Sequence, residues 1–261
     1  MLSRSLKMAF WVSYDHIGKL LIANLIWAIA ITLPGVFALT AFNTGEPSIM
    51  LLAGAPFLYL SLGVVGAILT AGLAHMVKVL IETGDGSLND LLDGIKQYWL
   101  RAWAIGTLFF IVIGALTTSA WFYGTQVGAN IPWVGYAAGA LAVWMLVFVL
   151  LCAVLVMPTL VQKRAPVFAT LKLTAVLVID NPLLTIGIAI QWAALLALSI
   201  VMIPVFFGLY GAACVVISSC AYEMLSRKYA AAAADGAPIR RDEDDDYLNR
   251  GFRDFLFPWK G

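Results

Sequence analysis

Residues 20–41 read LLIANLIWAIAITLPGVFALTA, 22 residues without a charge. Coiled as an α-helix, a stretch of this length rises about 33 Å, enough to cross the ~30 Å hydrocarbon core of a bilayer. Comparable apolar stretches follow at 57–80, 102–121, 133–157, 183–202 and 205–222. The chain as a whole is 62% hydrophobic and 12% charged, far too little polar surface for a soluble globular domain of 261 residues. The expected fold class is an all-α polytopic membrane protein with six transmembrane helices.

Charge placement predicts the orientation. With six spans, all 16 Lys and Arg residues fall on one side of the membrane, and the opposite connections, 42–56 and 122–132, contain none. By the positive-inside rule both termini are cytoplasmic, in a bacterial inner membrane. The net charge of +1 hides this asymmetry, and no nucleic-acid partner is expected. Arg4 and Lys7 precede an apolar run longer than the core of a signal peptide, so the first span is expected to be retained. Cys152, Cys214 and Cys220 are scattered within predicted spans, which speaks for packing and against a disulfide framework or a metal site.

Short amphipathic segments precede the odd-numbered spans. Leu6, Ala9, Phe10, Ser13, Tyr14 and Ile17 recur at helical spacing, as do Leu88, Leu91, Leu92, Ile95 and Trp99, whose helix opens on Ser87 as N-cap with Asp90 in the reciprocal position. Residues 167–180 repeat the theme less cleanly and, at about 21 Å, are too short to span alone. All three are expected to lie on the cytoplasmic interface. Gly54-Ala55-Pro56 is read as a break before the second span, Pro158 as the end of the fourth, and Asp180-Asn181-Pro182 as cap and first turn of the fifth. A spacing of roughly 80 residues between these segments suggests three parallel pseudo-repeats, at 5–80, 87–157 and 167–222, within a six-span domain 1–222.

Polar residues inside the spans are few. Asn24 most simply serves helix packing. Together with Tyr59 and Gln191 it forms the candidate transport path if the chain moves a solute. Pro34 should kink the first span, and His75 should satisfy its ring nitrogens on a neighbouring helix. Neither a buried carboxylate pair nor a spaced His/Asp/Glu cluster or activated nucleophile is visible, so no catalytic, cofactor or metal role is expected. After the last span, 223–239 reads as a cytoplasmic helix and linker. The stretch 240–261 then joins five acids, Asp242 to Asp246, to an aromatic end. Tyr247, Phe252, Phe255, Leu256, Phe257 and Trp259 are the candidate docking residues, on this chain or on a membrane-protein partner.

Asn24-Leu25-Ile26-Trp27 followed by Leu33-Pro34, Gly72 and Ala74 near the end of the second span, and the amphipathic segment Leu88 to Trp99 give the chain its likeness to a known family. Over about residues 5–222 it resembles the YesL-like family of bacterial integral membrane proteins. The resemblance implies an accessory role connected with carbohydrate uptake or metabolism, and it implies no catalytic residue. The leading expectation is a non-enzymatic membrane scaffold or accessory subunit of a larger assembly. The alternative is a transporter or transport-associated component.

Overall fold

The computed structural model describes residues 1–233 and 246–250, and among these residues the regular elements are all helical. In chain order they are α1 (Leu2–Asp15), α2 (Ile17–Asn43), α3 (Pro47–Thr83), α4 (Leu88–Asn130), α5 (Pro132–Lys163), α6 (Val167–Asp180), α7 (Pro182–Val201), α8 (Ile203–Ala230) and the single turn α9 (Asp246–Asn249). Six of them, α2, α3, α4, α5, α7 and α8, are long and apolar enough to cross a membrane. The chain is a multi-pass membrane protein, as its composition requires.

Helix ends follow local chemistry. Thr83 is followed by Gly84 at φ 73°, whose N–H returns to Leu80 O, the left-handed termination that glycine favours. Arg164 takes the same conformation at φ 50° and donates its N–H to Leu160 O before Pro166 forbids a further turn. At the start of α4 the Asp90 carboxylate accepts both the Ser87 N–H, at 2.6 Å, and the Ser87 hydroxyl, at 2.9 Å.

Three expectations change. Gly54-Ala55-Pro56 does not break the chain: α3 runs through it, with π-helical turns at Met50–Gly54 and Tyr59–Gly66. Inside the helix Pro56 has no N–H to give to the preceding turn, and the wider π-helical turns on either side of it take up the change in register. Pro158 likewise lies inside α5, and the nearby Thr159 hydroxyl donates to Leu155 O at 2.8 Å, so the helix continues to Lys163. The segment beginning at Leu88 is continuous with its span, whereas α1 and α6 are separated from theirs by single non-helical residues, His16 and Asn181. At about 65 Å, the 43 residues of α4 far exceed the hydrocarbon thickness, so its amphipathic start extends beyond the apolar layer.

Cross-links gather the basic residues at one end. Lys19 Nζ lies 2.6 Å from Asp85, the Arg101 guanidinium donates to Arg164 O at 2.8 Å, and Arg250 meets Asp15 at 2.5 Å. The core is concentrated toward this same end and has two lobes that share α8. Ala212, Val215, Val216, Cys220 and Met224 pack with α1 to α5, while Ala221, Tyr222 and Leu225 pack with α5, α6 and α7. The first lobe depends on close approach of α3 and α4: a Cβ on Gly106 would lie 2.2 Å from Gly63 O, and one on Gly94 would lie 2.5 Å from His75 Cβ. Away from this end the hairpin of α4 and α5 stands apart. Of the 18 consecutive residues that make α4 a candidate span, only 6% are buried.

Candidate functional site

Two polar constellations stand out: one within the spans, and one at the basic end where α6 meets α7.

The first is built on α2. Asn24, fully buried, donates through Nδ2 to Phe206 O at 3.0 Å and Phe207 O at 2.7 Å, and its Oδ1 accepts the Ala212 N–H at 2.9 Å. These backbone groups belong to or adjoin the π-helical turn Phe206–Tyr210 of α8, where the regular hydrogen-bond ladder is interrupted. In hydrocarbon an open ladder has no water to complete it, so the side-chain amide of another helix takes that place. One turn along α2, Trp27 packs its ring against Phe206 and Tyr210 and donates Nε1 to Thr70 Oγ1 at 3.1 Å. The expected packing role of Asn24 therefore has a definite object, the irregular start of α8.

Other polar groups in the spans are also engaged by the fold. The Ser61 hydroxyl donates to Ile31 O at 2.9 Å, next to the carbonyl that Pro34 cannot serve, and Trp192 Nε1 donates to Cys214 O at 3.1 Å. Tyr59 shares a 2.9 Å hydrogen bond with Thr107 and accepts one of 2.9 Å from Trp103 Nε1. His75 Nδ1 is 3.0 Å from Asp90 O. Asn24 thus works with α8 and Tyr59 with α4, while Gln191 is half-buried on α7. The three candidate path residues are not joined by these interactions. The three cysteines are buried thiols outside any disulfide. Among the described residues, no group of three or more His, Cys, Asp or Glu side chains is placed to hold a metal ion.

The second constellation surrounds the α6–α7 junction. Asn181, not Asp180, occupies the N-cap position of α7, followed by Pro182. The Asn181 amide points back toward the preceding helix and α8: Nδ2 donates to Tyr229 Oη at 2.7 Å and Oδ1 accepts Lys228 Nζ at 2.8 Å. The Tyr229 hydroxyl donates to the Asp180 carboxylate, which lies 3.7 Å from Lys228 Nζ. The tyrosine hydrogen bond holds the Asp180 carboxyl below its ordinary value against the opposing effect of desolvation, with Lys228 and Asn181 adding to the lowering. Beside this network is an open groove of about 370 Å³, lined by Met1, Leu2, Asp180, Asn181, Pro182, Leu183 and Leu184. Sequence reading identified the acid, the amide and the proline as a helix start. The contribution of Lys228 and Tyr229 was not visible because they lie almost fifty residues away.

At the α1–α2 junction, His16 sits between the Asp15–Arg250 and Lys19–Asp85 pairs. Its buried Nε2 has no hydrogen-bond partner, and desolvation lowers its proton affinity against the opposing pull of Asp15. Tyr247 and Leu248 pack against the first core lobe, Lys7 Nζ donates to Leu248 O at 2.6 Å, and the Arg250 guanidinium lies 5.4 Å from the ring centroid of Trp11. Phe252, Phe255, Leu256, Phe257 and Trp259 lie outside the described residues.

Comparison with family models, with curated proteins and with solved structures finds no match to this chain.

Proposed function

We propose that the chain is a non-enzymatic scaffold or accessory subunit of a larger membrane assembly, with its basic end in the cytoplasm of a bacterial cell. The observation that carries this reading is the uneven distribution of packing. The helices are consolidated at the basic end, while the α4–α5 hairpin presents Ile111, Trp121, Leu141 and Trp144 on exposed surface away from it. In lipid, helix association relies on shape and on small residues that permit close approach, and the exposed Gly114 of α4, with no atom within 4 Å of an added Cβ, leaves room for another membrane helix. The commitment of Asn24, Ser61, Thr70 and Trp192 to hydrogen bonds within the fold supports a structural over a solute-carrying interior. The YesL-like resemblance points toward an accessory role.

A three-unit plan is supported by the equal, 14-residue lengths of α1 and α6, each ending in an aspartate and followed by one non-helical residue before a span. The uninterrupted α4 departs from that pattern.

A transport-associated reading is favoured by one observation: the spans carry π-helical turns at Met50–Gly54, Tyr59–Gly66, Phe122–Val127 and Phe206–Tyr210, and such turns often mark functional sites. Photo-crosslinking groups placed separately at Trp144 and at the exposed Phe168 of α6 distinguish the readings. After mild solubilisation of native membranes, a stoichiometric protein adduct from position 144 and none from 168 is expected for the scaffold. Lipid adducts alone at 144, together with solute uptake by vesicles containing only this chain, would reject it in favour of a carrier.

A further inference from the structure

The groove lies at the α6–α7 junction, where a span begins. The 20 residues of α7 rise about 30 Å, which matches the thickness of the hydrocarbon core, and a bilayer matched to this helix would have Pro182 at its edge. The groove has two chemically different parts. Asp180 lines the polar part, and Lys228, outside the lining but next to Asp180, adds the opposite charge at its edge, with side chains 52% and 42% exposed. Their 3.7 Å separation is longer than a direct hydrogen bond, so each retains capacity for another charged partner. Leu2, Pro182, Leu183 and Leu184 form the apolar part. Leu183 is 84% exposed and Ile179, near the end of α6, is 68% exposed, so this part of the surface is open and apolar.

We propose that this groove is a binding site for a phospholipid with a primary-amine, zwitterionic head group. The ammonium group donates to the Asp180 carboxylate, the phosphate pairs with Lys228, and the start of an acyl chain lies along Leu183 and Leu184. The volume of about 370 Å³ falls within the range of small-ligand sites and suits a head group and its glycerol attachment. The charges also define the selectivity. A phosphatidylglycerol head group pairs its phosphate in the same way but offers Asp180 only neutral hydroxyls, with no cation to meet the carboxylate. A choline head group carries positive charge but has no N–H to donate to the carboxylate. Tyr229 and Asn181 hold the acid and lysine through the hydrogen bonds already described, with Asp180 in the groove lining and Lys228 beside it, 3.7 Å from the carboxylate.

Native mass spectrometry of the full chain in mild detergent tests the site by titration with phosphatidylethanolamine, phosphatidylglycerol and phosphatidylcholine of identical acyl chains. Phosphatidylethanolamine is expected to bind at least about fivefold more tightly than either competitor. Asp180→Asn should abolish the preference over phosphatidylcholine, while Asp85→Asn, at the other junction, should retain it. Leu183→Asn changes a side chain exposed on the surface. With an unchanged unfolding temperature, it should weaken phosphatidylethanolamine and phosphatidylcholine binding together, providing a second measure if Asp180→Asn does not fold. Equal binding of the three lipids, or a preference surviving Asp180→Asn, would overturn the proposal. Displacement of the lipid by free phosphoethanolamine at equal concentration would also overturn it, because the ligand would then be a soluble zwitterion without need of the apolar wall.

Discussion

Asn24 was conspicuous in the sequence because an amide inside a 22-residue apolar run needs a partner. Its partners were unreadable there: Phe206, Phe207 and Ala212 lie more than 180 positions away, and their need for a side-chain partner arises only from the π-helical turn of α8. Replacing Asn24 with Ala removes three hydrogen bonds and leaves buried backbone groups unpaired, for an expected loss of about 3 kcal/mol in detergent unfolding. Unchanged stability would mean that α8 closes its own ladder. His16 provides a second residue-scale expectation. Burial lowers its proton affinity in the folded state, in the presence of Asp15, Lys19, Asp85 and Arg250. The stability associated with neutral His16 is therefore present above the ordinary histidine value of about 6.5 and is lost as pH falls through the lowered folded value. Thermal unfolding between pH 7.5 and 5.0 should show a loss that His16→Gln reduces.

At the scale of elements, apolar periodicity and length exposed all six spans, but not their continuity. A Gly-Ala-Pro cluster reads as a break when considered locally, yet α3 carries it in its interior between two π-helical turns. The amphipathic start of α4 reads as a separate surface helix because its pattern differs from the uniformly apolar run after it. No backbone break separates them, since Gly94 and Gly106 let α4 remain against α3 along this length. This contact predicts a contrast between two identical substitutions. Gly106→Ala places a methyl group 2.2 Å from Gly63 O and should destabilise the protein by about 1–3 kcal/mol. Gly114→Ala, on the same helix with no atom within 4 Å of the added carbon, should be neutral or stabilising by up to about 1 kcal/mol. Denaturation of both variants in the same detergent checks the pair, and equal losses would remove the close-packing explanation.

At the scale of the molecule, α8 joins the two core lobes, and the segment after it returns to α1. Tyr247 and Leu248 cover the first lobe, while Arg250 reaches Asp15 and lies 5.4 Å and 5.5 Å from the ring centroids of Trp11 and Tyr247. Deleting residues 246–261 should lower the unfolding temperature of the isolated chain, whereas Arg250→Lys should have a smaller effect by retaining the charge while losing the planar guanidinium. Differential scanning fluorimetry provides the comparison; an unchanged midpoint after deletion would deny these contacts a bracing role. The sequence by itself determined the membrane class and the six apolar spans because hydrophobic length and backbone satisfaction in lipid are properties of contiguous residues. Its basic residues also implied their gathering at one end once the spans alternate. Only the tertiary structure decided that Asn24 completes α8, that Lys228 and Tyr229 join Asp180 beside a groove, and that Arg250 returns to Asp15. Those outcomes depend on side chains brought together across 47 to 235 positions of sequence, a distance over which local pattern carries no information about proximity.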